Sequence, residues 1–259
     1  MSTYVVGDIH GHYDEWIELK TTIENKDSNA RFILVGDIID RGPKTLNMVQ
    51  WVIKNITATG KYQMIMGNHE EEKIKWWNNH FLPMARQYQF EGREVNLYIV
   101  SPDRFEFSTN YIRANKSYKE MYTAIKWFST LPYYKDIIIN NRRFIIVHAN
   151  LPYAAIDEND NIIKHKLLSA NAKDFMLWNR DVDNIEKIPN SLIIHGHNAT
   201  VFPDSFNSKD FTPNKLGKVY VQSHKINIDC GLVYRNNFGY GNLAAICLDT
   251  LEIIYLYRK

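Results

Sequence analysis

Short apolar runs alternate with amphipathic stretches near the start of the chain. Residues 2–6, 31–35 and 62–66 are rich in apolar side chains, and each run ends at a glycine followed by a polar residue. Such runs predict strands buried on both faces of a parallel sheet. Residues 13–24 and 45–55 carry apolar side chains at helical spacing, which predicts the helices that connect those strands. The pattern is typical of an α/β fold.

A second group of strand-like segments lies in the C-terminal half. The segments are short and apolar and are separated by polar turns, which predicts a second sheet packed on the first. Residues 137–147 are predicted as a hairpin because Asn140 and Asn141 stand at the centre, where asparagine tolerates turn conformations. The other predicted strands are 193–195, 218–222, 225–228, 242–248 and 252–257.

The segment from about residue 75 to 134 is dense in Trp, Tyr and Phe. Helical spacing of apolar residues predicts a helix over 118–128, which stops before Pro132. The aromatic residues can form a lid that stacks on a base or a phosphotyrosine ring, or the core of a small cap on the sheet, and the core is the commoner use. We therefore predict a single catalytic domain over residues 1–259 with a cap-like insertion at about 75–134.

Composition and charge narrow the class of protein. The chain has 259 residues, with 31 basic and 29 acidic side chains and a net charge of +2. This balance gives no global field for nucleic acid or an anionic membrane. Only Cys230 and Cys247 are present, so no disulfide framework is expected. Without a signal peptide or an apolar run of about 18 residues, a soluble cytoplasmic protein is predicted. The oligomeric state stays open.

Side chains of the kind that bind metals follow several of the predicted strands. Asp8 to Asp37 spans 29 residues and Asp37 to Asn68 spans 31, about one strand-helix-strand unit each. Because the carboxyl ends of parallel strands meet at one edge of a sheet, we expect these side chains to lie close together. Carboxylate, imidazole and amide ligands suit Mn, Fe or Zn. The full candidate set is Asp8, His10, Asp37, Asn68, His148 and His197.

Two details of this set depend on local geometry. Asp8 and His10 are two residues apart, so in extended chain they point the same way and can share one metal, with Asp37 bridging to a second. The last histidine is open among three candidates. His195 lies two residues before His197 and shares its face in extended chain, and His224 precedes a predicted strand. The residues alone leave this choice open, and the family resemblance described next favours His197, which fills a Gly-His motif.

Three motifs stand in order along the chain: GDIHG at residues 7–11, GDIIDRG at 36–42 and GNHE at 67–70. They match the patterns GDxHG, GDxxDRG and GNHE in full, and in these motifs the chain resembles the phosphoprotein phosphatase branch of the calcineurin-like metallophosphoesterase family. Residues 148–150 and 196–198 resemble the later His-Gly-Gly and Gly-His-Thr motifs. Two positions depart from the pattern without removing a ligand: an asparagine replaces Gly at 150, and another replaces Thr at 198.

The resemblance implies a fold, a metal centre and residue roles. The fold is an αββα sandwich of two mixed β-sheets flanked by helices. Two divalent ions are implied, with Mn expected first and Fe, Zn or Ni as alternatives. One ion would be held by Asp8, His10 and Asp37, and the other by Asp37, Asn68, His148 and His197. Arg41 and Arg180 would bind phosphoryl oxygens, and His69, supported by Asp40, would protonate the leaving oxygen.

Simpler interpretations exist for three of these residues. Arg41 can occupy a turn without contacting substrate, and Arg180 can pair with Asp181 or Asp183 on the surface. Asp40 can be a turn aspartate that bonds the backbone ahead of the next helix. Asp40 and His69 are more convincing as a pair than singly.

The predicted activity is metal-dependent hydrolysis of phosphate monoesters by direct attack of a metal-bridging hydroxide. On the resemblance, the expected substrate is phosphoserine or phosphothreonine protein, with phosphotyrosine protein as a further substrate. The main alternative is a hydrolase of nucleotides or dinucleoside polyphosphates, and a phosphodiesterase and a non-catalytic phosphate-binding protein are others. Asp40 favours the phosphoprotein, because relatives that act on dinucleotides can lack an acid there.

Overall fold

Two five-stranded mixed sheets form the centre of the molecule. The computed structural model describes residues 1–95, 106–114, 116–159, 161–181, 188, 190–203 and 215–257. The strands are β1 (Thr3–Val6), β2 (Arg31–Leu34), β3 (Tyr62–Met64), β4 (Tyr134–Ile139), β5 (Arg142–Val147), β6 (Ser191–His195), β7 (Tyr220–Val221), β8 (Lys225–Asn227), β9 (Ala244–Cys247) and β10 (Ile253–Tyr255). The α-helices are α1 (Tyr13–Lys26), α2 (Thr45–Asn55), α3 (Asn68–Trp76), α4 (Leu82–Phe90), α5 (Glu106–Arg113), α6 (Tyr118–Phe128), α7 (Ala170–Trp178) and α8 (Arg235–Phe238).

The first sheet has the strand order β10-β9-β1-β2-β3. Strands β1, β2 and β3 are parallel, and α1 and α2 connect them. β9 pairs with β1 and β10 pairs with β9, both antiparallel. The three parallel strands therefore end at one edge of the sheet, where ligands bind in open α/β sheets.

The second sheet has the order β4-β5-β6-β8-β7. β5, β6 and β8 are parallel, and the outer strands β4 and β7 pair antiparallel with them. The β4–β5 hairpin turns at Asn140 (φ 49°) and Asn141 (φ 61°), as predicted from those two asparagines. The parallel strands of this sheet end beside the loops of the first sheet. His148, after β5, lies with Nδ1 2.8 Å from the Val35 carbonyl oxygen, and the backbone N–H of His197, after β6, donates to Asp8 Oδ2 at 3.1 Å.

Three apolar layers hold the sheets and helices together. Between the two sheets, Val5 and Ile33 of the first pack in one cluster with Ile146 and Ile194 of the second. A larger cluster covers the outer face of the first sheet beneath α1, α2 and α3, and a third covers the outer face of the second sheet beneath α7. This is the α/β sandwich of two mixed sheets flanked by helices, so the predicted fold class is confirmed.

The aromatic-rich insertion begins at the end of α3 and contains α4, α5 and α6, and its residues 96–105 and 115 lie outside the described part. Trp76, Trp77, Phe81 and Phe128 are buried in the cluster that also covers the first sheet. These four rings pack as core, whereas Tyr122 and Phe90 are exposed. The division into one domain with an inserted cap stays a prediction. Among the described residues, no helix combines the length and the apolar character needed to cross a bilayer.

Candidate active site

Left-handed backbone conformations concentrate in the loops that follow β1, β2 and β6. Nine described residues other than glycine have positive φ, and five of them are predicted site residues. Such conformations cost about 1–3 kcal/mol each and persist where surrounding structure fixes them, often at functional sites. The five are His10 (φ 46°), Asp37 (φ 48°), Asp40 (φ 65°), Arg41 (φ 67°) and His197 (φ 68°).

Asp37 lies at the centre of the site. Its Oδ2 is 3.6 Å from His10 Nε2, 3.5 Å from His148 Nε2 and 3.9 Å from His69 Nε2. Two groups of three residues therefore have ligand atoms within 4.8 Å of one another and share this carboxylate: His10, Asp37 and His69, and Asp37, His148 and His197. Shared carboxylates of this kind are suited to bridge two cations.

Asn68 joins the second of these groups. Its Oδ1 is 2.8 Å from His148 Nε2 and 3.0 Å from His197 Nδ1. His148 Nδ1 donates to the Val35 carbonyl oxygen at 2.8 Å, which leaves Nε2 facing the site. A backbone carbonyl on the far ring nitrogen fixes the orientation of a metal-binding histidine. Asp37, Asn68, His148 and His197 are therefore together, as the sequence predicted.

His10 is held in the same way as His148. Its Nδ1 donates to the Ile39 carbonyl oxygen at 2.9 Å, so that Nε2 faces Asp37. The side chain does not reach this position through extended chain, since His10 is left-handed. The extended conformation that was assumed in predicting that Asp8 and His10 point the same way is therefore absent at His10.

Asp8 lies beside both groups and belongs to neither of them. Its Oδ2 accepts the backbone N–H of His197 at 3.1 Å, and a Cβ atom at Gly196 would overlap its Oδ1. Residue 196 must therefore be glycine for the carboxylate to fit. The predicted sharing of one cation by Asp8 and His10 stays a prediction.

The donor set fits divalent cations. Asp8 Oδ1 and His197 Nε2 are buried and have no hydrogen-bond partner within the described structure. Burial and the nearby Asp229 raise the pKa of Asp8 well above its usual range, which a bound cation would reverse. Burial lowers the pKa of His10 to about 3 and that of His197 to about 2, so both imidazoles are neutral, the form that binds metals.

His69 and Asp40 form a close pair beside Asp37. His69 Nδ1 is 2.7 Å from Asp40 Oδ2, and Lys73 Nζ is 2.9 Å from the same oxygen. Burial alone would lower the pKa of His69. The nearby Asp37 and Asp40 carboxylates outweigh burial and raise the pKa of His69. A protonated imidazole in this place can donate a proton from Nε2.

The two predicted phosphate-binding arginines are both at the site. Arg41 Nη1 donates to the Tyr234 hydroxyl at 3.1 Å, and Nη2 is 3.3 Å from His69 Nε2. Arg180 Nη1 donates to Asn198 Oδ1 at 3.0 Å, so the asparagine that departs from the family pattern orients the guanidinium. Asp183, the other surface partner considered for Arg180, lies outside the described residues.

The second departure from the family pattern also has a structural role. Asn150 Nδ2 donates to Asn179 Oδ1 at 2.9 Å and to the Asp181 carbonyl oxygen at 3.3 Å. These bonds join the loop after β5 to the segment that carries Arg180. The larger side chain thus ties two loops of the site together.

Three residues at the site were missed in the sequence. Glu70 accepts the backbone N–H groups of Asp37, Ile38 and Gly67, and so holds the loop after β2. Its place in GNHE was a signal, whereas nothing in the sequence marks Lys73 or Tyr234 as partners of Asp40 and Arg41.

The rival histidines lie apart from the two groups. His195 is buried at the end of β6, with its Nδ1 3.0 Å from the Gly196 carbonyl oxygen. His224 precedes β8, and its Nδ1 is 3.0 Å from Ser223 Oγ. Of the three candidates for the last histidine, His197 is the one that lies within reach of Asn68, as the Gly-His motif predicted.

Comparison with curated proteins finds relatives over very different lengths. The asymmetrical bis(5'-nucleosyl)-tetraphosphatase of Bacillus velezensis is 26% identical over 246 residues, which cover 91% of this chain and 86% of that protein. The symmetrical bis(5'-nucleosyl)-tetraphosphatase of Klebsiella pneumoniae is 39% identical over 70 residues, or 27% of this chain and 24% of that protein. The first similarity spans nearly the whole chain, and the second spans about a quarter of it.

Comparison with solved structures and family profiles agrees with the fold. A serine/threonine phosphatase from Saccharomyces cerevisiae matches with TM-score 0.57 and 14% identity over 98% of this chain and 78% of its own. A putative diadenosine tetraphosphatase matches with TM-score 0.52 and 15% identity over 98% and 92%. At these identities the likeness concerns the fold alone. The calcineurin-like phosphoesterase profile matches residues 1–229. The chain therefore belongs to the calcineurin-like phosphoesterase family and is a metallophosphoesterase.

Proposed function

We propose that this protein hydrolyses the phosphoanhydride chain of bis(5'-nucleosyl) tetraphosphates. The observation that carries the proposal is the convergence of two groups of ligand atoms on Asp37, beside Arg41 and Arg180. Such a centre binds a dense row of phosphates, because cations and guanidinium groups both attract phosphoryl oxygens. The name of the relative that aligns over 91% of the chain supports this substrate class over the phosphoprotein that the sequence favoured.

Under this proposal, the metal ligands are the six residues predicted from the sequence. One ion is assigned to Asp8, His10 and Asp37, and the other to Asp37, Asn68, His148 and His197. Two bound divalent ions would acidify a water molecule and polarise the phosphoryl oxygens. Mn is the metal we would load first, with Fe, Zn and Ni as alternatives.

The remaining residues act on the substrate directly. Arg41 and Arg180 bind phosphoryl oxygens through paired N–H groups. His69, held by Asp40 on Nδ1, presents Nε2 and donates a proton to the leaving oxygen. Lys73 and Glu70 position this pair and the Asp37 loop through their buried contacts.

The second candidate is a phosphoprotein phosphatase, the branch that the sequence resembles most. The observation that favours it is the 2.7 Å contact between His69 and Asp40. A serine alkoxide leaves poorly unless it is protonated, whereas a nucleotide leaves as a stable phosphate anion and needs less help. A strong general acid is therefore worth more to an enzyme that acts on phosphoserine.

The experiment compares Mn-loaded protein on four substrates. These are diadenosine tetraphosphate, a phosphoserine peptide, a phosphotyrosine peptide and a bis-aryl phosphodiester, with Asp37→Asn as the control. Our proposal predicts the highest kcat/KM on the dinucleotide. The product pair also identifies the bond that breaks: ATP and AMP mark asymmetric cleavage, and two ADP mark symmetric cleavage. A preference for either peptide would support the second candidate, and a preference for the diester would indicate a phosphodiesterase.

A further inference from the structure

Four aromatic rings form a continuous cluster beside the candidate active site. Phe202 and Tyr234 meet edge to face with 4.7 Å between centroids, and Phe238 lies 5.8 Å from Phe202 and 5.9 Å from Tyr234. Tyr240 stacks on Phe238 at 5.8 Å with an interplanar angle of 21°. We call these four residues the aromatic cluster. None of them has a role in the chemistry described above apart from the contact of Tyr234 with Arg41.

Tyr234 connects the aromatic cluster to the phosphate-binding side chains. Its hydroxyl accepts from Arg41 Nη1 at 3.1 Å, and the Arg41 guanidinium lies 5.9 Å from its ring centroid. Phe238 and then Tyr240 follow, each one ring further from the guanidinium. A ligand whose phosphates contact Arg41 would therefore have its next groups beside these rings.

The rings of Phe238 and Tyr240 are exposed, and the segment that carries them, α8 and the turn after it, is held by contacts with its neighbours. Phe238 is 44% exposed and Tyr240 is 37% exposed. Arg235 Nη1 donates to the Gly241 carbonyl oxygen at 2.8 Å, and its guanidinium lies 3.6 Å from the centroid of the Tyr257 ring. These contacts join the two ends of the segment and attach it to the chain beyond β10. A surface that is already ordered loses little entropy when a ligand binds.

We propose that Phe238 and Tyr240 form a stacking platform for one nucleobase of the substrate. Every base presents a π-face, so aromatic side chains bind bases with little dependence on sequence. In the dinucleotide, a ribose and phosphate groups separate each base from the reacting phosphorus, which allows a base to reach rings beyond Tyr234. In phosphotyrosine only one oxygen separates ring and phosphorus, so its ring would stay at Tyr234. This inference rests on the proposed function and specifies which part of the dinucleotide the cluster binds.

The test uses two substrates with the same anhydride chemistry, of which only one has a base. Steady-state kinetics of the Mn-loaded enzyme are measured on diadenosine tetraphosphate and on inorganic tetraphosphate. Phe238→Ala and Tyr240→Ala are the test variants, Tyr240→Phe is the conservative variant, and Phe90→Ala is the matched control, an exposed phenylalanine on α4 outside the cluster. Thermal melting of each variant reports on folding.

If the platform binds a base, the alanine variants should change KM for the dinucleotide alone. Each alanine variant should raise KM for diadenosine tetraphosphate by about 5- to 100-fold, with kcat nearly unchanged. KM for inorganic tetraphosphate should not move, Tyr240→Phe should restore binding, and Phe90→Ala should behave as wild type. Unchanged KM for the dinucleotide, or an equal rise on both substrates, would overturn the platform while leaving the proposed function intact.

A direct binding measurement keeps the test independent of turnover. If wild-type protein leaves the dinucleotide intact, the proposed function fails, and AMP binding to the Zn-loaded protein still tests the platform. Saturation transfer to the adenine protons should be strong in wild type and weak in Phe238→Ala. Equal transfer in both proteins would refute base stacking at this surface.

Discussion

Replacing His69 with asparagine should separate substrates by their leaving groups. The asparagine amide can occupy the place of Nδ1, 2.7 Å from Asp40 Oδ2, so the local contact is retained. What is lost is the ring nitrogen Nε2, which faces Asp37 and Arg41. The variant therefore removes the proton donor while disturbing the surrounding loops as little as possible.

The expected loss follows from the environment of His69. Burial disfavours the charged ring, but Asp37 and Asp40 outweigh burial and raise the pKa of His69, which favours the protonated form that can donate. A positioned general acid contributes about 10² to 10⁴ in rate, or about 3 to 5 kcal/mol. We expect a loss of that size in kcat for an alkyl phosphate, and a loss below about tenfold for p-nitrophenyl phosphate, whose leaving group needs no proton. Diadenosine tetraphosphate should lie near the aryl phosphate.

The assay measures kcat on all three substrates together with the metal content of each protein. Metal content matters because His69 also falls within ligand distance of His10 and Asp37. A general acid predicts unequal losses and an unchanged metal content. Equal losses on every substrate, accompanied by loss of metal, would refute the reasoning and make His69 a ligand. Asp40→Asn should show the same substrate selectivity with a smaller loss.

Three further predictions concern the residues around this pair. Lys73→Met removes the cation 2.9 Å from Asp40 and should therefore lower kcat on alkyl phosphates about tenfold at unchanged KM. Lys73→Arg should restore part of that kcat. An unchanged kcat in Lys73→Met would contradict a positioning role for this contact. Glu70→Gln should lower the free energy of unfolding by about 1–3 kcal/mol in urea titrations, because one of the two oxygens that accept from the backbone N–H groups of residues 37, 38 and 67 becomes an NH2 group that cannot accept. A change below about 0.5 kcal/mol would contradict this role. Burial raises the pKa of Asp229 to about 6, so its folded form holds a proton that the unfolded chain releases near pH 4. The metal-free wild type should therefore lose about 3 kcal/mol relative to Asp229→Asn as pH rises from about 4 to 7; a pH-independent difference would exclude this.

The ends of strands and helices were predictable where the local sequence pattern determines them and contacts with distant residues do not change them. α2 begins and ends where its apolar spacing predicted, and Asn140 and Asn141 form the predicted turn. The predicted β3 was two residues too long. The N–H of Ile65 still donates to the Leu34 carbonyl oxygen of β2, but the N–H of Met66 donates instead to the Pro132 carbonyl oxygen. Contacts with distant parts of the chain ended that strand, and they have no local signature.

In the candidate site, too, features that follow from motif spacing were predictable, and features that depend on loop conformation or on distant contacts were not. Motif spacing brought together Asp37, Asn68, His148 and His197, because the ends of parallel strands converge whatever their loops contain. The conformation of the loop after β1 was not predictable. The prediction assumed an extended backbone at His10, whereas this residue has a left-handed conformation. Partners such as Tyr234, 193 residues from Arg41 in sequence, meet it only through the tertiary fold.

The most direct test of the account is the metal content and turnover of Asp37→Asn beside wild type. Asp37 is the one residue shared by both groups of ligand atoms among the described residues. After loading with Mn and removal of excess metal, wild type should retain about two ions per chain and hydrolyse diadenosine tetraphosphate. Asp37→Asn should lose metal and at least about 10³ of the turnover. A variant that keeps both ions and its activity would contradict a centre built on this carboxylate.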